Sequence, residues 1–376
     1  MILSPIYNID FIILLGAVRG IIFAYVLIFK PLRNKKASRF LGLFLMDFAA
    51  NCIYFTLETL GLRSGINALS LSPLYCSLWI ITGLYFFIQF LVKPEYKFSV
   101  KDYVLFLPAI FQTLIQIIAL GYFYIDREGL LKSQHLLYSI YDCIDILLLI
   151  TGVLTFISII VKLKTYEKRL LNNFAEIEDF SLAWIYRFIQ SLMVLLILFA
   201  IPNIYELIGG HSLPNIYYPM WISFSILIYW MGYSAYSKNP SEKPIELAET
   251  KSQFENTKLS ENTATYHQSL IQLMQSERPY LDQDLNLKKL SNYLDISSGY
   301  LSQIINQYEK KNFFDFINAH RVETVKEKIV DPKSQHLNLL GIAYESGFKS
   351  KSTFNLAFKK HTGKTPTAYK KSILQK

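Results

Sequence analysis

At 376 residues the chain has room for two or three domains. It is 52% hydrophobic, 15% aromatic and only 18% charged, with mean hydropathy +0.26, which excludes an ordinary soluble protein. The net charge of +9 is uneven: residues 287–376 hold sixteen Lys/Arg against seven Asp/Glu, 238–286 hold five against eight, and 1–237 supply the remaining +3. A polyanionic partner is therefore expected for the C-terminal segment. Cys52, Cys76 and Cys143 lie in or beside apolar stretches without a CxxC or Cys/His cluster. Neither a disulfide framework, a metal site nor a cofactor is expected from them.

Seven apolar stretches reach bilayer-spanning length: 9–30, 38–60, 70–92, 102–123, 138–161, 184–208 and 217–236. The first has no basic segment ahead of it and no small-residue cleavage site, so it reads as a retained helix. The third is interrupted by Pro73, and the last is rich in Tyr and Trp, as an interfacial belt would be. Twelve basic residues fall in odd-numbered loops: Lys30, Arg33, Lys35, Lys36, Arg39, Lys93, Lys97, Lys101, Lys162, Lys164, Lys168 and Arg169. Even loops hold Arg63, Arg127 and Lys132. The positive-inside rule then puts the N-terminus outside and everything after residue 237 in the cytoplasm of a bacterial inner membrane.

Ionisable groups inside spans need partners. Arg19 and Asp47 fall near the middles of antiparallel spans, and a buried Arg19–Asp47 pair is expected. Asp142 and Asp145 share one helix face. They either line a polar cavity for a small-molecule or membrane signal or meet headgroup water and a neighbouring helix.

From residue 237 to 262 the sequence turns polar, with Pro240 and Pro244, and reads as a cytoplasmic linker. An amphipathic helix follows at 263–277, presenting Tyr266, Leu270, Leu273 and Met274, and Arg278-Pro279 stops it. Two roles fit this helix: packing on the domain behind it, or a homodimer contact.

Two helix–turn–helix patterns come next. In the first, Leu287, Leu290 and Leu294 point inward, and Ser297 caps a helix over 298–308 with Leu301, Ile304 and Ile305 on its apolar side. Ser298, Gly299, Ser302, Gln303 and Asn306 face outward, as a groove-reading helix requires. A connecting helix at 313–330 offers Phe313, Phe316, Ile317, Val325 and Ile329 to a core. In the second pattern, Leu339, Leu340, Ile342 and Ala343 precede a turn at Ser346-Gly347-Phe348, where Gly347 suits positive φ. Ser350 caps a helix over 351–361 with Phe354 and Phe358 inward; Lys351, Ser352, Thr353, Asn355, Lys359 and Lys360 are left to meet phosphates or base edges.

Residues 281–371 resemble the DNA-binding domain of the AraC/XylS family of bacterial regulators. The likeness is strongest in GIAYESGFKSKSTFNLAFKKHTGKTPTAYKK at 341–371, with Phe316-Ile317, Arg321, Leu290, Ser297 and Leu301 matching upstream. The resemblance implies two helix–turn–helix units joined by a long helix, with both recognition helices in successive major grooves of double-stranded DNA. RNA polymerase is a further partner it suggests. Residue by residue, it carries DNA contact to Ser298, Gly299, Ser302 and Gln303, and to Lys351, Ser352, Thr353 and Asn355. The chain departs from the family where Lys310 replaces a usual Gly, Ser291 and Val325 replace Ala, and Gln303 and Gln307 replace Arg or Lys. The first unit is thus poor in cations, and the second should supply most of the affinity.

An enzyme is disfavoured: neither GxGxxG nor GxxxxGK[ST] occurs, and the six histidines are scattered. A receptor or transporter with a DNA-binding readout is the rival, but no internal repeat is visible to favour transport. The expected fold is all-α: a seven-helix transmembrane bundle (1–236), a linker (237–262), and a DNA-binding domain with its leading helix (263–376). The expected role is a sequence-specific transcription regulator anchored in the lipid bilayer.

Overall fold

The computed structural model of the chain describes residues 5–31, 34–61, 68, 70–73, 77–177, 183–208, 217–237 and 263–374. Apart from Ser237, which closes a helix, the linker expected at 237–262 lies outside the described residues. The fold is all-helical. The chain divides into two compact units, one of residues 1–163 and 183–239, the other of 164–182 and 240–376.

The first unit contains α1 (Pro5–Phe29), α2 (Lys35–Thr59), α3 (Ser77–Val92), α4 (Val100–Val104), α5 (Leu107–Ile125) and α6 (Arg127–Lys132). It also holds most of α7 (Gln134–Asn173), then α8 (Ala183–Leu207) and α9 (Tyr218–Ser237). Among the described residues, five helical stretches are long and apolar enough to cross a membrane: Ile9–Phe29, Lys35–Thr59, Val100–Ile125, Gln134–Asn173 and Trp184–Tyr205. Of the third expected span, α3 (Ser77–Val92) is described, a shorter apolar helix; residues 74–76, after Pro73, lie outside the described residues. The fourth is split at Phe106, with a proline in the first turn of α5, where a missing N–H costs no helix bond. In contrast, α7 runs past residue 161 to Asn173. At about 1.5 Å per residue, it is roughly twice the thickness of a hydrocarbon core.

Small residues let α1 pack closely on its neighbours. A side chain at Gly16 would strike Ser225 of α9, and one at Gly20 would press on Ala49 of α2. The outer surface of this unit is far more apolar than that of a soluble bundle. Gln112 and Gln116 are buried inside, while Phe111, Ile117 and Ile118 of the same helix are exposed. Water would penalise that arrangement and lipid would not.

The second unit comprises α10 (Thr263–Ser276), α11 (Leu287–Tyr293), α12 (Ser298–Ile304, prolonged by a wider turn Ile305–Glu309) and α13 (Phe313–Val330). It ends with α14 (Leu339–Glu345), α15 (Lys351–Thr362) and α16 (Pro366–Leu374). Its helices start at side-chain caps: Asn286, Ser297, Asn312, Asn338 and Ser350 each accept a backbone N–H three residues on.

The long helix α13 serves two apolar cores. Its first half gives Phe313, Phe316 and Ile317 to a cluster with Leu287, Leu290, Leu301 and Ile305. Its second half gives Val322, Val325 and Ile329 to a cluster with Ile342, Phe348, Phe354 and Phe358. Leu270 and Met274 of α10 belong to the first cluster, so the apolar face of α10 is used within its own unit. Packing on the domain, one of the two roles the sequence offers this helix, is present.

Candidate nucleic-acid interface

Two pairs of short helices, α11/α12 and α14/α15, flank α13, each joined by a tight turn. Asp295 takes positive φ (51°) in the first turn. Gly347 (φ 93°) does so in the second, where a β-carbon would collide with the Tyr280 carbonyl and lie 2.9 Å from Leu281 Cα. Arg321 of α13 is fully buried and ties these pieces together. It donates from Nε to the Tyr280 carbonyl (2.7 Å), from Nη2 to that of Asp282 (2.8 Å), and from Nη1 to Asn318 (3.3 Å). Burial lowers its pKa to about 10, opposed by the charges of Glu176 and Asp282.

On α12, Gly299, Gln303 and Asn306 are exposed and open space surrounds Gly299. Ser298 departs from its expected outward placement: it is half-buried, with its hydroxyl 3.1 Å from that of Ser291. Ser291, which replaces a family Ala, thus gains a polar partner. Ser302 is also half-buried.

On α15, Lys351, Ser352, Asn355, Lys359 and Lys360 are exposed, and Lys360 pairs with Asp315 of α13 (2.7 Å). Thr353 corrects the expectation. It is 3% exposed because Glu176 lies over it, the Thr353 hydroxyl donating to Glu176 Oε1. The Ser350 hydroxyl donates to the same oxygen at 3.0 Å. This neighbour was not legible in the sequence, where Glu176 is one residue of a loop between two apolar stretches.

Residues 290–372 match the model of a family described as a helix-turn-helix domain. The chain carries an AraC-type DNA-binding domain. The AraC-type domain makes it a DNA-binding transcription regulator. A solved chain titled a protein of unknown function from Listeria innocua is 32% identical over 28% of this chain and 93% of its own length, with TM-score 0.25. No curated protein matches the chain.

The ionisable residues of the apolar helices lie apart. Arg19 and Asp47 do not pair: Arg19 is exposed and lies over the Tyr229 ring, 4.8 Å from its centroid. Gly20 lies against Ala49, so Arg19 and Asp47 are at similar levels along α1 and α2, but the packing face of α1 is the one bearing Gly16 and Gly20, and Arg19 is turned off it. A cavity of about 680 Å³ opens in the first unit, lined by Phe55, Trp221, Asn51, Glu58 and Asp145 among others. Asp145 therefore faces the cavity, whereas Asp142 is exposed outside it. Asp10, missed in the sequence, is buried behind two lining residues, accepting from Thr59 (2.9 Å) and Tyr218 (3.3 Å).

Proposed function

We propose that this protein is a seven-span regulator of the bacterial inner membrane that reads DNA at the cytoplasmic face in response to a signal at its membrane unit. The observation that carries the membrane reading is the apolar outer surface of the first unit, where large side chains such as Ile117, Ile118 and Leu154 are exposed while Gln112 and Gln116 are buried. Topology has its own support. Phe174 and Ala175 pack within the C-terminal unit, so the loop after α7 and the residues after α9 share one side of any bilayer. That requires an even number of crossings between them, which α8 and α9 supply. The basic residues of the odd loops assign that side to the cytoplasm.

DNA is read by both helix pairs. On α12 the contacts are Gly299, Gln303 and Asn306, with Ser298 and Ser302 at the edge; on α15 they are Lys351, Ser352, Asn355, Lys359 and Lys360. Lysines on α15 neutralise phosphates, while Gln303 and Asn355 carry the amide groups suited to adenine edges. The cavity bearing Asp145 and Glu58 is the place where a small-molecule signal acts, by binding two states of the bundle unequally. A homodimer and RNA polymerase complete the partners of such a regulator. Sequencing duplexes retained by the full chain in detergent tests the reading: a defined motif with affinity falling steeply in salt is expected, and retention without any motif would reject sequence-specific regulation.

A further inference from the structure

We propose that Phe174–Glu176 is an intramolecular competitor for DNA: docked, it covers the start of α15 and holds the regulator off. The inference rests on the reading of α15 as a groove-reading helix. Glu176 is 9% exposed and puts its carboxylate at the N-terminus of α15, where the Ser350 and Thr353 hydroxyls both donate to Oε1. A helix N-terminus with two hydroxyl donors is where a DNA phosphate would be held. With Glu176 seated, those donors are taken, and a fixed negative charge stands beside any incoming backbone.

The docking is built, not a chance surface contact. Ala175 is fully buried in the apolar core shared by α10, α11 and α13. Its carbonyl accepts from Asn318 Nδ2 (2.9 Å), itself fully buried, and Phe174 pairs antiparallel with Asn286, the cap of α11. The tether is equally direct. Asn173, the residue before Phe174, ends α7, and upstream on the same helix Tyr141 and Asp145 line the membrane-unit cavity. A ligand that moves α7 in the bundle acts on the docked segment through continuous helix. Apparent affinity for DNA then scales with the undocked fraction.

The test uses the full chain in detergent, with binding to a selected duplex followed by anisotropy and the fold by hydrogen exchange at α13. Glu176→Ala is expected to bind on the order of tenfold tighter than wild type, within the usual range of intramolecular coupling. Its log–log salt slope is expected to steepen by about one phosphate contact. Glu176→Gln, which keeps size and hydrogen-bond acceptance but removes the charge, is expected to shift affinity the same way by less. It decides the matter if the alanine variant does not fold. Wild-type or weaker affinity in the folded variants would overturn the proposal and make Glu176 a structural brace. If wild type and variants alike ignore duplex DNA at low salt, the DNA-reading function itself fails, and the competitor with it.

Discussion

Lys310 occupies a left-handed backbone position, φ 53° and ψ 30°, at the end of the turn that closes the first recognition helix. A side chain there costs about 1 kcal/mol relative to glycine, the residue usual at this position in the family the segment resembles. Lys310→Gly is expected to stabilise the C-terminal unit by about 1 kcal/mol, seen as slower exchange of α13 amides. Two histidines set a pH dependence at the same scale. Burial lowers the pKa of His320, stacked on Tyr280 and edge-on to Phe316, and of His361 below the ordinary 6.5. The unfolded chain then takes up protons before the folded one does, so stability is expected to fall as pH drops through 6.5. Exchange protection in α13 should decrease from pH 7.5 to 5.5 after correction for intrinsic rates, and replacing both histidines with Gln should flatten that loss.

In the proposed function, helix α15 concentrates the electrostatics of DNA binding. Lys351 and Lys359 are exposed along it, whereas α12 offers Gln303 and Asn306 in their place. Each of Lys351→Ala and Lys359→Ala is expected to reduce the log–log salt slope by about one, while Gln303→Ala leaves the slope unchanged and alters sequence preference. The helices of the C-terminal unit were legible because their signals are local: Ser297 and Ser350 as caps, Gly347 at the turn, Phe354 and Phe358 four apart. What escaped was non-local. Nothing in the spacing near Glu176 points to Ser350, 174 residues away, so Thr353 read as exposed although the fold covers it. Arg19 and Asp47 failed for another reason: equal depth does not fix rotation, and the glycines chose the face of α1.

At the scale of the molecule, α7 is the element shared by the two units, and the segment just beyond it reaches the start of α15. Under the proposed function, α7 joins signal to readout, alongside the polar stretch 237–262 that the composition suggests as a route. The central claim is that one polypeptide is embedded in the bilayer and bound to genomic DNA together. The measurement that tests it most directly is cross-linking in living bacteria, isolation of carbonate-washed membranes, and sequencing of the DNA recovered with the full chain. The protein is expected to stay in the washed membranes and to carry DNA enriched at discrete loci. Release of the protein by carbonate, or recovered DNA with no enrichment, would contradict it.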